Sequence, residues 1–172
     1  MTSEFAAEAG VAAAGAVVVD GEARPDLVAD DGGPRLMLAE VTEQPLDVDH
    51  HRRLVSDSAG GAEVVFCGVV RDHDHGRVVR ALEYVGHPDA GAVIERIAAQ
   101  IAAEPGVLAV AVSHRVGALA VGEVAFVAAV GSAHRREAFT HCAQLVDQVK
   151  RELPIWKRQV FADGTDEWVN CP

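Results

Sequence analysis

Lysine is the scarce cation of this 172-residue chain, with Lys150 and Lys157 standing against thirteen arginines. Arginine supplies charge everywhere else, so a surface-charge role does not by itself call for an amine at two places seven residues apart. Arginine stays protonated under ordinary conditions, whereas a lysine beside other cations or in a dry pocket can release its proton and act as base, acid or nucleophile. Cysteine is also sparse. Cys67, Cys142 and Cys171 form neither an even disulfide framework nor a Cys-x-x-Cys metal spacing, which points to a reducing compartment, the cytoplasm. The chain lacks a Gly-x-Ser-x-Gly elbow, a Walker loop and a dinucleotide fingerprint, so the common serine-hydrolase and nucleotide chemistries have no motif here. No basic residue precedes the apolar run 11–19, which follows Glu4 and Glu8. That order contradicts a signal peptide, and the run is too short to span a bilayer.

The net charge of -11 is unevenly spread. Residues 1–50 carry eleven acids against two arginines, while residues 51–172 carry fifteen acids against thirteen bases. The folded body is thus nearly neutral and offers no basic stripe for nucleic acid. Its cations instead cluster in a way that suits a small anion. Residues 1–34, rich in Ala, Gly, Asp and Glu, read as a flexible extension, and residues 35–172 as one catalytic or binding domain.

Periodicity predicts a strand over 36–41, a short helix over 47–57 ended by Gly60-Gly61, and a continuously apolar, hence central, strand over 63–71. A strand over 78–85 follows, then a helix opened by Pro88 with Val93, Ile94, Ile97 and Ile101 at helical spacing. Strands are predicted over 107–116 and 123–130. A helix N-capped by Ser132 then runs with Phe139, Ala143, Val146, Val149 and Leu153 on one face, Lys150 at its edge, until Pro154 ends it. A closing hairpin over 155–161 and 167–170 completes the order β-α-β-β-α-β-β-α-β-β. Short connections between neighbouring strands imply antiparallel pairing and an α+β fold.

The chemical signal begins at Gly131-Ser-Ala-His-Arg-Arg136. A helix start already favours an anion, and cations there cost roughly 0.3–1 kcal/mol apiece when exposed, which a bound phosphate or carboxylate would offset. Pairing with Glu137 or pointing into water explains the same arginines without a ligand. Lys150 lies in a last helical turn, where the dipole favours any cation; Lys157 lies in a strand, where edge protection is the alternative to function. Arg71, at the end of an apolar strand, needs an anion or a carboxylate such as Asp72 if it faces inward. His73 and His75 invite a metal reading, but no third ligand is singled out and a polar turn accounts for them. Cys67 and Cys142 fall on apolar patterns as packed hydrophobes.

Taken in order, Val69-Val-Arg-Asp-His73, Leu82-Glu-Tyr84, His114-Arg-Val-Gly117, Gly131-Ser-Ala-His-Arg135 and Val149-Lys-Arg-Glu-Leu-Pro-Ile-Trp-Lys-Arg158 resemble the large, catalytic subunit of molybdopterin synthase, from about residue 35 to 170. The resemblance implies an α+β fold of the α/β-hammerhead type with about three helices. It implies a homodimer carrying a small ubiquitin-like sulfur-carrier subunit at each end, a heterotetramer without membrane, nucleic acid, metal or cofactor. The implied activity is sulfur transfer to cyclic pyranopterin monophosphate, from a thiocarboxylate on the carrier's Gly-Gly tail, used twice to build the dithiolene of molybdopterin. By position, Lys150 and Lys157 match the active-site lysines. Arg71, His134, Arg135 and Arg158 match the substrate and anion pocket, some acting across the dimer, with Val69, Val70 and Gln159 also along the substrate. Val69 departs from a position often basic in the family, and Gln159 from one often acidic. Two alternatives stay open: a noncatalytic subunit whose basic pocket only accepts a carrier tail, and a metal-dependent hydrolase using His73 and His75.

Overall fold

A computed structural model describes residues 35–170; the predicted extension over 1–34 and Cys171 lie outside them. The described chain runs β1 (Arg35–Thr42), α1 (Val48–Val55), β2 (Ala62–Val69), β3 (His73–Asp74), β4 (Arg77–Gly86), α2 (Ala90–Ala102), β5 (Val107–Arg115), β6 (Gly117–Leu119), β7 (Val124–Ser132), α3 (Arg135–Glu152), β8 (Ile155–Phe161) and β9 (Asp166–Asn170). It is an α+β fold of two sheets. One has the order β1-β5-β7-β2, and the other the order β3-β4-β8-β9 with β6 on β4. Only the β1–β5 pair is parallel.

Alternation along β5 decides the layering. Val110 and Val112 face α2 and α3, where Ile94, Ile97, Ile101, Leu145 and Val149 complete the larger core. Ala109 and Ala111 face the opposite way, toward Leu38 and Val55 of α1. Small residues are required on that side because α1 rides close to the sheet: a Cβ added at Gly131 would lie 2.2 Å from the Val55 carbonyl oxygen. Both faces of the first sheet are therefore covered by helices.

Three sequence expectations need correction. β2 is an edge strand; Val64 packs on the core beneath α3 and Val65 on that beneath α1, while Phe66 and Val69 stay exposed. Ser132 does not cap α3 but closes β7 with its side chain buried, and the N-cap is His134, which makes no side-chain capping bond. The inward face of α3 is Ala138, His141, Cys142, Leu145, Val146 and Val149, so Phe139, 65 % exposed, and Ala143 turn outward. β3 and β6, two and three residues long, were too short to leave a periodic signal.

Candidate active site

Pro154 brings the two lysines together. The last turn of α3 places Lys150 and ends at Leu153, whose N–H still donates to the Val149 carbonyl at 2.9 Å. Proline has no N–H with which to continue the helix, and the chain turns at once into β8. Along β8, residues 155, 157, 159 and 161 share one face and residues 156, 158 and 160 the other. Lys157 and Gln159 consequently face back toward Lys150, and all three line a cavity of about 400 Å³.

The remaining wall comes from β2, β4, β5, β7 and β9 and from the segment between β2 and β4. Val69, Val70 and Arg71 border the cavity with Phe66 and Phe126, and Tyr84 and His114 lie against it from neighbouring strands. The His114 ring sits between the Tyr84 ring, at 5.1 Å and edge-on, and the Phe126 ring, at 5.6 Å. Its Nδ1–H donates to the Arg115 carbonyl at 2.9 Å, since a carbonyl only accepts. Burial pushes its pKa from 6.5 down to about 4; that hydrogen bond opposes the shift and the nearby Lys150 ammonium adds to it. His114 therefore meets the cavity as a neutral ring at physiological pH.

Asp74 supplies the opposite charge. Its carboxylate accepts from Gln159 Nε2 at 2.7 Å and pairs with the Arg71 guanidinium at 3.1 Å. The Gln159 hydrogen bond, with the attraction of Lys157, His75 and Arg71, holds this carboxyl below the usual carboxylate range against an opposing effect of burial. Three basic side chains, Arg71, Lys150 and Lys157, thus share one cavity with a single acid among the described residues. The arrangement favours an anion.

Other expected residues lie elsewhere in the single chain. Arg158 is on the opposite face of β8 from Lys157, as strand alternation demands, paired with Asp166 at 2.9 Å and Glu83 at 3.9 Å. His134 and Arg135 are exposed at the start of α3. Lys150 lies fifteen helical steps beyond Arg135, a rise of about 22 Å, and one chain brings only Lys150 to this cavity. His73 and His75 border the cavity at a turn in which His73 Nδ1 meets Asp72 at 2.6 Å. No group of three or more His, Cys, Asp or Glu among the described residues is arranged to hold a metal. Neither described thiol offers a thiolate, because burial raises Cys67 and pushes Cys142 up to about 11. Sequence reasoning missed Tyr84, His114 and Asp74 as wall residues. The first two had only the quoted motif fragments as signal, and Asp74 was absorbed in the polar-turn reading.

An α+β fold that brings the two lysines of the chain and an arginine to one pocket defines a protein whose site suits an anionic ligand. The chain belongs to the MoaE protein family, whose model matches residues 41–152. It is 41% identical over 132 residues to a molybdopterin synthase catalytic subunit of a Nostoc species, covering 76% of this chain and 80% of that one. A subunit of the same description from Pyrococcus abyssi is 37% identical, over 80% of this chain and 93% of its own length. Among solved structures, molybdopterin synthase from Staphylococcus aureus superposes with a TM-score of 0.70 at 29% identity, over 76% of this chain and 96% of that one. No helix among the described residues is long and apolar enough to cross a membrane.

Proposed function

We propose that this protein is the catalytic subunit of molybdopterin synthase, transferring sulfur to cyclic pyranopterin monophosphate from the thiocarboxylate tail of a small carrier subunit in the cytoplasm. The observation that carries the reading is that Lys150 and Lys157, the only lysines of the chain, line one cavity with Arg71. At about 400 Å³ the cavity falls within the usual range for small-molecule sites. Arg71 and Lys157 neutralise substrate phosphate and carrier thiocarboxylate, while Lys150 moves protons or bonds transiently to the thioacyl carbon as sulfur departs. Water hydrolyses the acyl carbon as its bond to the transferred sulfur, or to Lys150, breaks, so each carrier tail gives one sulfur and leaves as a carboxylate; two tails serve in turn and the half-sulfurated pterin stays bound between rounds.

The placement of His134 and Arg135 supports a homodimer in which the start of α3 from a second copy completes the anion site, within a heterotetramer carrying two small subunits. β2 is an open sheet edge whose exposed Phe66 and Val69 border the cavity, which suits such an approach. Val70 and Gln159 form part of the substrate wall, and Arg158, turned away in one chain, contributes only by way of a neighbouring subunit. Incubating the protein with thiocarboxylated carrier and the cyclic pterin should produce the dithiolene. Carrier binding without any dithiolene would instead make this a noncatalytic docking subunit.

A further inference from the structure

Among the described residues, Asp74 is the one carboxylate in the cavity wall, and it stands among Arg71, Lys150 and Lys157. An acid in an anion site weakens attraction for every anion that enters, so its presence calls for a reason. The pair with Arg71 adds little stability, because the Arg71 side chain is 66 % exposed and such ion pairs contribute little; Asp74 also satisfies the buried Gln159 amide, but a neutral acceptor would do that as well.

The backbone places this carboxylate deliberately. Asp74 pairs with Arg77 across a two-residue hairpin loop, and positive φ at both loop residues, 47° at His75 and 78° at Gly76, is what a type I′ connection requires. Arg77 anchors the far side of the hairpin, with its guanidinium on Asp163 at 3.1 Å and over the Phe161 ring at 3.5 Å. Gln159, 3 % exposed, holds the second Asp74 oxygen from the same face of β8 that presents Lys157. One carboxylate therefore joins the hairpin, the lysine strand and Arg71.

We propose that Asp74 is a positioning residue: clamped by Gln159, it fixes the Arg71 guanidinium so that the substrate's phosphate meets an ordered cation. The inference rests on the sulfur-transfer reading and deepens it. Removing the charge frees Arg71 without removing it, so binding survives while alignment is lost.

Steady-state dithiolene formation by wild type, Asp74→Asn, Gln159→Glu and the double variant tests this. Asp74→Asn keeps an acceptor for Gln159, and its kcat is expected to fall about tenfold with the KM for the pterin unchanged or lower. Gln159→Glu sets two carboxylates face to face and is also slowed. The double variant restores one carboxylate and one amide with their places exchanged, and should recover kcat to within about threefold of wild type. The inference is overturned by Asp74→Asn with a kcat within about twofold of wild type, by a raised KM at unchanged kcat, or by a double variant no faster than the single ones. A wild type that forms no dithiolene rejects the sulfur-transfer reading itself, whereas an active wild type matched by Asp74→Asn rejects only the positioning role.

Discussion

At His114 the fold buries an imidazole between two aromatic rings and beside a lysine. Its folded pKa, about 4, lies below the ordinary 6.5, so the native state resists the proton that the unfolded chain accepts. The resulting stability is fully present above pH about 6.5 and is lost as pH falls toward about 4, a span worth on the order of 3 kcal/mol. Denaturant titrations at pH 7 and pH 4.5 should show that loss, and His114→Phe, which keeps the ring contacts, should flatten it. The thiols give a contrasting expectation. With Cys142 pushed up to about 11 and Cys67 also raised by burial, no sulfur of the described chain is poised as a nucleophile. Cys67→Ser should therefore retain dithiolene formation within about twofold of wild type, and a loss of orders of magnitude would implicate that thiol.

Among the elements, the junction of α3, Pro154 and β8 does most to build the site, and it was legible in the sequence because proline stops a helix and strand alternation fixes which neighbours share a face. The same alternation separates Arg158 from Lys157, a consequence that likeness of motif alone does not convey. Helix positions were readable from apolar spacing, but the exact inward face of α3 was not: Phe139 is apolar and yet exposed, and hydrophobicity alone does not say which surfaces stay uncovered. The centrality of β2 was misjudged for a related reason, since part of its apolarity, Phe66 and Val69, stays exposed at the sheet edge. The close seat of α1 on β7 carries its own prediction. Gly131→Ala would drive a Cβ to 2.2 Å from the Val55 carbonyl oxygen, and the forced shift should destabilise the fold by about 1–3 kcal/mol, seen as a lower Tm.

For the whole molecule, the long separation of Arg135 from Lys150 along α3 makes the site's completeness a question of assembly. The expected anion-pocket residues Arg71, His134, Arg135 and Arg158 were readable as motif, but no sequence pattern states which copy of a chain supplies each, because that depends on surfaces meeting in space. If the second copy supplies Arg135, then Lys150→Ala and Arg135→Ala chains, each nearly inactive alone, should together regain about a quarter of wild-type activity when co-expressed, since half the dimers are mixed and each mixed dimer holds one intact site. No recovery would put both residues to work within one chain. The claim beneath all of this is that the cavity needs an amine able to give up a proton, and not merely a positive charge. The rate of dithiolene formation by Lys150→Arg, with thiocarboxylated carrier and cyclic pyranopterin monophosphate at saturation, measures that directly: the expected result is a fall of about 100-fold or more with carrier binding retained, and an undiminished rate would contradict it.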